Sequence, residues 1–265
     1  MVEAVSVKQL LEAGAHFGHQ TGHWNPRMKS YIYTQRNGIH IIDLEQTATM
    51  LDKACAYVRE LISNGGTLLF VGTKRQAQES IEEEAKRCGM YYVNQRWLGG
   101  MLTNFTTIQS RIDYLVRLED KKNRGELDYL PKKEIMKVEK EIAKLNRLMG
   151  GFKEMINLPS ARFIVDPCKE KIALLEARKV GIPIVAMVDT DCDPTNIDHP
   201  IPSNDDAIKA IKFICNTIAN AVLQGKMLKE TGELVDMANA PPPVTEPTGS
   251  TETLTFAPEE EVEKS

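Results

Sequence analysis

The sequence predicts an α/β fold in which helices cover both faces of a parallel sheet and a helical arm is inserted. Short apolar runs at 67–71 and 183–188 are typical of strands buried on both faces. Helical segments alternate with such runs, as they do in parallel βα units. A charged stretch at 105–153 interrupts this alternation and has helical periodicity. We therefore expect an α/β body over 1–104 and 154–226, with the stretch between them as the arm.

Turn and capping residues bound the elements of the body. Asn37-Gly38 lies between the apolar segments 31–33 and 39–42, which predicts a β-hairpin, and Asp43 then caps a helix. The other predicted strands are 90–93 and 162–165. The predicted helices are 6–14, 43–64, 73–88, 166–180 and 203–225.

Two of these helix starts have the pattern of a capping box, in which the cap and the third helical residue bond each other's backbone. They are Ser6 with Gln9 and Thr73 with Gln76. Asp166 is expected to cap the helix that follows the strand at 162–165.

Apolar residues of the arm recur in steps of three and four, which is the pattern of a coiled-coil seam. They are Ile108, Ile112, Leu115, Ile135, Val138, Ile142, Leu145 and Met149. Asn123-Arg124-Gly125 turns the chain, and Pro131 lies near the start of the return helix. We expect an antiparallel coiled-coil hairpin that leans on the body or on a partner, because two helices alone bury little apolar surface.

The segment NQRWLGGMLTNF leads from the body into the arm, and we expect function to lie on the arm. Gly99 and Gly100 allow backbone angles closed to other residues and let another surface approach closely. Trp97 is expected to pack at the junction. Thr103 or Asn104 is expected to cap the first arm helix.

Charge is unevenly distributed along the chain. The net charge is −4, but residues 227–265 hold nine acids and two bases, and the preceding residues are therefore net positive by three. The arm at 105–153 holds twelve bases and eight acids. Basic charge concentrated on one element favours phosphate binding more than the sum over the chain does. We expect the acidic segment 227–265 to be disordered, because it lacks apolar residues to bury.

An α/β enzyme is the first alternative. Gly72-Thr73-Lys74 follows a strand, where a helix N-terminus favours phosphate, so a nucleotide- or phosphate-binding enzyme could use this turn. The turn does not match GxxxxGK[ST], and the chain has no GxGxxG. Four acids follow predicted strands and could hold Mg²⁺ for catalysis. They are Asp166, Asp189, Asp191 and Asp193. His40, flanked by isoleucines, is better explained as a half-buried histidine than as a base.

A zinc site, a disulfide framework and a membrane span are not expected. His16, His19 and His23 share one loop, but their spacing matches no zinc pattern. The five cysteines contain no CxxC pair and suit a reducing cytosol as small buried residues. No apolar run approaches the roughly 20 residues that span a bilayer, and the first residues lack the features of a signal peptide.

The basic residues favour the interpretation that this is a nucleic-acid-binding protein. A protein that only binds other proteins is a further possibility. Each single lysine could belong to a solvated helix surface, but the bases cluster toward the arm tip at 121–133, which the seam does not require. The candidate RNA-binding bases are Arg27, Lys29, Arg36, Lys74, Arg75, Arg96, Arg111, Lys121, Lys122, Arg124, Lys132 and Lys133.

Several long motifs resemble one known family, that of bacterial-type small-subunit ribosomal protein two. They are HFGHQT, WNPRM, IHIIDL, FVGTK, NQRWLGGMLTNF, FIVDPCKE, GIPIVAMVDTDCDP and IPSNDDAI, in the family's order, over about residues 5–225. The resemblance implies a flavodoxin-like parallel sheet with an inserted coiled-coil hairpin and no catalysis. It also implies binding to small-subunit ribosomal RNA between head and body. Other small-subunit proteins are expected as partners, including the one that captures messenger RNA.

The family's motifs place further residues at the RNA. Trp24, Asn25 and Asn104 join the candidate RNA-binding set, and Trp97, Gly99, Gly100 and Thr103 form the structural junction. No cofactor is expected, and Mg²⁺ enters only as an ion that accompanies the RNA. The ribosome would be that of a bacterial cytoplasm, although an organelle is not excluded.

This chain departs from the family's pattern in two places. Gly22 and His23 stand where the family often has two bases, so phosphate contact is expected to be weaker there. Ser160 stands where an acid is usual, which removes a charge from any partner contact at that position.

Overall fold

The computed structural model describes residues 5–127, 129 and 131–239, the side chains of 232–239 excepted. In that part the chain forms a parallel sheet between helices, a small antiparallel sheet and a pair of long arm helices. The helices are α1 (Val7–Ala13), α2 (Leu44–Ser63), α3 (Arg75–Cys88), α4 (Phe105–Asn123), α5 (Lys132–Met149), α6 (Lys171–Val180) and α7 (Ile208–Asn239). The strands are β1 (Phe17–Gln20), β2 (Ile32–Arg36), β3 (Ile39–Ile42), β4 (Leu68–Val71), β5 (Tyr91–Val93), β6 (Ala161–Val165), β7 (Ile184–Val188) and β8 (His199–Pro202).

The parallel sheet has the strand order β5-β4-β6-β7-β8, and every neighbouring pair is parallel. With its strands numbered along the chain, this is the order 2-1-3-4-5 of flavodoxin-like folds. Successive side chains point to opposite faces. Phe70 and Phe163 therefore lie in the core with α2, α3 and α7, whereas Leu69 and Ile164 lie in the core with α6 and the arm. The predicted α/β, flavodoxin-like fold class is confirmed.

A small antiparallel sheet precedes the parallel one and has the order β1-β3-β2. Asn37 and Gly38 both have positive φ, 50° and 74°, as the tight turn of a hairpin requires. The predicted hairpin is therefore confirmed. The sequence predicted neither β1 nor β8. Strand β8 contains Pro200 and Pro202, and it lies at the edge of its sheet, where a residue without an N–H is tolerated.

Local caps explain where the first two helices begin. Ser6 accepts from the backbone of α1, and Gln9 accepts in return from the Ser6 N–H at 3.2 Å, so the predicted capping box is confirmed. Asp43 caps α2, as expected, by accepting a hydrogen bond from the Glu45 N–H at 3.0 Å.

Two other cap predictions are wrong. Lys74, not Thr73, occupies the N-cap of α3, and it makes no side-chain cap bond because an ammonium group has no acceptor. Thr73 instead donates both its N–H and its hydroxyl to Glu170. Asp166 does not start a helix either. Its φ is 61°, and α6 begins only at Lys171, after a turn.

The two arm helices pack through seven of the eight predicted apolar residues, whereas Ile135 is only partly buried and is not part of that cluster. Those buried are Ile108, Ile112, Leu115, Ile142 and Met149, and those partly buried against them are Val138 and Leu145. Lys122 bonds Glu139 and Asn146 bonds Glu119, so the helices run in opposite directions. The same apolar cluster includes Ile164 of β6, and the arm therefore leans on the body as expected. Coiled-coil geometry stays a prediction.

The last helix is longer than predicted. We expected it to end at Gly225, but α7 continues to Asn239. Gly225 is buried inside the helix, and a Cβ there would lie 2.7 Å from the carbonyl oxygen of Arg59. This glycine therefore permits close packing of α7 on α2 instead of ending the helix. The predicted disorder of 227–265 is thus wrong for 227–239, and 240–265 lie outside the described residues.

Candidate nucleic-acid interface

One buried carboxylate organises the segment between body and arm. Glu176 of α6 accepts hydrogen bonds from the Trp97 indole N–H at 3.2 Å and from the Gly100 N–H at 2.7 Å. Its other oxygen accepts from the Leu102 N–H at 3.0 Å and from the Thr103 N–H and hydroxyl, both at 3.3 Å. Five donors from seven consecutive residues thus converge on a single side chain.

The environment of Glu176 keeps it ionised. Burial alone would raise its pKa, but the hydrogen bonds from Leu102, Gly100, Trp97 and Thr103 outweigh burial and lower the pKa. Sequence reasoning missed this residue. Periodicity could not reveal it, because two large apolar residues of α6, Ile172 and Leu175, are exposed while the glutamate is buried beside alanines.

Trp97 lies at the junction and is 7% exposed. Its ring packs in the core cluster that joins the arm to the sheet, 5.5 Å from the guanidinium carbon of Arg162. Arg162 is fully buried on β6, and burial lowers its pKa to about 9. The guanidinium lies over the Trp97 ring, a cation–π arrangement that is stronger when desolvated.

Gly100 and Gly99 differ in what they do at the junction. Gly100 has φ +85°, which explains the glycine through backbone conformation. Gly99 is exposed, its φ is not in the positive range, and a Cβ there would meet nothing within 4 Å. Asn104 is exposed and occupies the N-cap of α4 as predicted, although neither it nor Thr103 makes a side-chain cap bond. The Thr103 hydroxyl donates its hydrogen bond to Glu176 instead.

A basic groove lies beside Gly99, where α5 meets the junction. Its volume is about 480 Å³, and its lining includes Gln95, Arg96, Gly99, Lys144 and Arg147. The Arg147 Nε donates to the Gln95 side-chain oxygen at 3.0 Å, which fixes one guanidinium at the rim. Within the described residues, none of the three cations forms an ion pair. Lys144 and Arg147 were not among the predicted site residues, because nothing in their spacing links them to residues fifty positions earlier.

The predicted cations of the arm are exposed. They are Arg111, Lys121, Lys122, Arg124, Lys132 and Lys133. Lys122 pairs with Glu139 at 2.8 Å, and Arg124 lies 4.0 Å from Glu126. Among the described residues, the other four have no acid partner, so their charge is available to a phosphate.

The predicted residues of the loop before the hairpin have mixed roles. Trp24 is half-buried, with its ring 5.1 Å from that of His40. Asn25 caps a 3-10 turn by accepting from the Arg27 N–H at 3.0 Å. The Arg27 guanidinium bonds Asp193, which anchors this loop to the one after β7. Lys29 and Arg36 are exposed, as is Arg75 at the start of α3.

At the turn Gly72-Thr73-Lys74, the groups that could bind a phosphate are already bound to carboxylates of the same chain. Lys74 lies 2.6 Å from Asp205 and from Asp206 and 3.4 Å from Asp166. Glu170 accepts hydrogen bonds from the N–H and the hydroxyl of Thr73, which a phosphate would otherwise need as donors. The predicted role of Lys74 in RNA binding stays a prediction, although three carboxylates neutralise its charge within the protein.

Two clusters of ligand-type side chains occur in the described part of the chain. His19, Asp205 and Asp206 form one, and Cys168, Asp191 and Cys192 form the other. In the first, His19 lies 3.1 Å from Asp189 and its pKa is raised to about 9, first through the hydrogen bond with Asp189, against the effect of burial. With Lys74 among these acids, the first cluster belongs to an ion-pair network in which the carboxylates outnumber the two cations.

Comparison with known proteins gives a consistent match. The family model described as Ribosomal protein S2 matches residues 10–225. Proteins described as small ribosomal subunit protein uS2, from Dehalococcoides mccartyi strains BAV1 and CBDB1, are each 63% identical over 229 residues. That alignment covers 86% of this chain and 94% of the relative. The protein of strain 195 is 65% identical over 221 residues, 83% of this chain and 90% of the relative. Among the described residues, no helix is both long and apolar enough to cross a membrane.

Proposed function

Because the chain belongs to the ribosomal protein S2 family, we propose which of its surfaces bind the RNA of the small ribosomal subunit. Members of this family are structural, non-enzymatic parts of the ribosome, so the enzyme alternative is wrong. The chain is a structural constituent of the small subunit and acts in translation on the bacterial, cytoplasmic ribosome.

The basic groove at the junction is the observation that supports the proposal best. Arg96, Lys144 and Arg147 converge there from two elements, and none is neutralised within the described part of the chain. Gly99 leaves the floor without a side chain, so that a sugar–phosphate backbone can approach the main chain closely. Glu176 holds the backbone on either side of Gly99 through its hydrogen bonds with Trp97 and Gly100. Double-helical RNA is read mainly through backbone and shape, which such a groove suits.

The cations of the arm tip extend this surface. Lys121, Lys132 and Lys133 are exposed and lack acid partners within the described residues, and they lie at the end of the hairpin away from the groove. The seam faces inward between the two helices, which leaves these lysines on the outer surface, where they can face RNA. We propose that groove and tip bind separate stretches of the same RNA.

Two charge-reversal variants test the proposal. One replaces Arg96, Lys144 and Arg147 by Glu, and the other replaces Lys121, Lys122, Arg124, Lys132 and Lys133 by Glu. Both should melt within a few degrees of the wild type, because exposed charges contribute little to stability. Affinity for small-subunit RNA should fall. The slope of log affinity against log salt should become shallower by about 2–3 for the groove variant, since each lost phosphate contact releases one fewer counterion.

The matched control is the triple replacement of Lys8, Lys53 and Lys209 by Glu, since these exposed lysines lie on α1, α2 and α7. It changes the net charge as much as the groove variant does, and it should keep nearly all of the affinity. Equal losses in the groove variant and the control would show that only overall charge matters. An unchanged salt slope in the groove variant would move the RNA site to the tip or to the loop at 24–36.

The contacts with protein neighbours are proposed from the resemblance alone. We propose that the chain lies between head and body and helps to dock the ribosomal protein that captures messenger RNA. Small subunits depleted of this chain should bind that protein several-fold more weakly, and added chain should restore binding. Equal binding by depleted and restored subunits would refute the docking role without affecting the RNA proposal.

A further inference from the structure

Two cysteines that are distant in sequence meet at the carboxyl edge of the parallel sheet. Cys168 lies in the turn after β6, and Cys192 lies in the bend after β7. Their sulfur atoms and a carboxylate oxygen of Asp191 lie within 4.8 Å of one another. Neighbouring parallel strands end at the same edge of a sheet, so the pairing of β6 with β7 brings the two loops together. The two cysteines are not in a CxxC motif, so the sequence does not predict that they meet.

The two thiols differ in access to solvent. Cys168 is half-buried, whereas Cys192 is fully buried. A hydrogen bond from the Cys192 thiol lowers the pKa of Cys168 and outweighs the opposing effects of burial and of Asp191. The same bond, together with burial, raises the pKa of Cys192. Reactive cysteines have this arrangement of an accessible thiol with a lowered pKa beside a second thiol that can resolve it.

The remaining cysteines are buried and lack such a partner in the described part of the chain. Burial raises the pKa of Cys55 to about 12 and that of Cys88 to about 11, and it also raises the pKa of Cys215. These three are small core residues, as the sequence predicts for all five. The contrast makes them internal controls for the reactivity of the pair.

We propose that Cys168 and Cys192 form an oxidisable pair that hydrogen peroxide converts to an intramolecular disulfide. The Cys168 thiolate attacks one peroxide oxygen, an S–O bond forms as the O–O bond breaks, and the departing hydroxide takes up a proton to give water. The Cys192 sulfur then attacks the Cys168 sulfur. An S–S bond forms as the S–O bond breaks, and the hydroxide leaves with the Cys192 proton as a second water. Two thiols lose two electrons, and one peroxide gains them.

The geometry requires only a local adjustment. A disulfide is about 2.0 Å long, so the sulfurs must approach by at most about 2.8 Å from their present separation. Both residues lie in turns and not within a strand or helix, so side-chain rotation and small loop shifts can supply this movement. The bond would tie the loop after β6 to the loop that carries Asp193, the partner of Arg27. This inference is independent of the proposed RNA surfaces.

The test treats the reduced full-length protein with a few equivalents of hydrogen peroxide in the presence of a chelator. The chelator is needed because two thiols and a carboxylate also suit Zn²⁺, which would protect them. Free thiols should fall from five to three, and peptide mass spectrometry should show Cys168 linked to Cys192. The oxidised protein should also melt at a higher temperature, because the new bond closes a loop in the unfolded chain.

Variants identify the role of each sulfur. In Cys192→Ser, the sulfenic acid of Cys168 should persist and react with dimedone. In Cys168→Ser, all four remaining thiols should survive, and Cys55→Ser should behave as the wild type does. Five surviving thiols in the treated wild type, overoxidation of Cys168 without a link, or a link only between two chains would each overturn the proposal.

Discussion

At the residue scale, Glu176 determines the conformation of the junction. It holds Trp97, Gly100, Leu102 and Thr103 through one carboxylate, and hydrogen bonds to a buried charge are stronger than those between neutral groups. Glu176→Gln keeps the size of the side chain but replaces one acceptor oxygen by a donor that faces backbone N–H groups. We expect it to lower the free energy of unfolding by about 2–4 kcal/mol in urea titration.

The exposed Glu79→Gln on α3 is the control for this substitution and should change stability by less than about 0.5 kcal/mol. The lowered pKa of Glu176 adds a pH signature. Its stabilisation is present above pH 4.5 and is lost as pH falls through the lower folded pKa. Equal stability of Glu176→Gln and wild type at pH 7 would show that the junction holds its shape without this charge.

His19 predicts a second pH dependence, of opposite sign. Its pKa is raised to about 9 by Asp189, so its stabilisation is complete below pH 6.5 and is lost as pH rises toward 9. Because the side chain is still 28% exposed, solvent screening limits the effect to about 1–2 kcal/mol. Urea titrations at pH 6.5 and 9 should show this loss in the wild type but not in His19→Gln. His23→Gln, in the exposed segment just after β1, should leave the loss unchanged.

At the element scale, the arm is attached to the body through close backbone packing. A Cβ on Gly151, just after α5, would lie 2.3 Å from the carbonyl oxygen of Tyr92 at β5. Backbone cannot yield as a flexible side chain does. Gly151→Ala should therefore push the end of the arm away from the sheet and cost about 1–3 kcal/mol by thermal or urea unfolding. A variant as stable as the wild type would mean that the arm can shift without loss.

Gly99→Ala is the matched variant to Gly151→Ala, and it tests RNA binding without disturbing packing. A Cβ there meets nothing within 4 Å, so the melting temperature should stay within about 2 °C of the wild type. If RNA approaches the groove floor as proposed, affinity for small-subunit RNA should nevertheless fall several-fold. Wild-type affinity in Gly99→Ala would remove the floor from the RNA surface while leaving the groove cations in place.

At the scale of the whole molecule, opposite charges are separated along the chain. Residues 240–265 contain six acids and one lysine, whereas the arm is net positive by four. Ending the chain after residue 239 should leave the melting temperature and co-sedimentation with small subunits unchanged. Affinity for non-specific RNA should rise, because a repelling charge is removed. Loss of co-sedimentation would instead identify 240–265 as a docking segment.

A second truncation tests the corrected end of α7. Ending the chain after residue 226 removes the last part of that helix, including Lys229, whose Nζ would lie 3.7 Å from a Cβ on Gly65. We expect this variant to melt a few degrees below the one that ends at 239. Identical melting curves would show that the additional turns of α7 do not contribute to stability.

The sequence by itself determined those features that depend on near neighbours. The capping box at Ser6, the cap at Asp43, the hairpin turn at Asn37-Gly38 and the arm seam each depend on residues within a few positions of one another. Buried strands between helices were sufficient to predict the sheet and, with the family's motifs, its flavodoxin-like class. Where a distant residue competes for the same hydrogen bonds, local reasoning failed, as Glu170 shows at Thr73.

Only the tertiary structure decided how the sites are assembled. Glu176 reaches Trp97 across 79 positions, and Lys74 reaches Asp205 across 131. Cys168 meets Cys192 because β6 and β7 are adjacent in the sheet. A polar side chain gives no periodic signal of its partner, and the partner is set by strand order and by helix placement over the sheet. Local sequence patterns therefore identified the helices and most of the strands, whereas the order of the strands determined which charges and thiols meet.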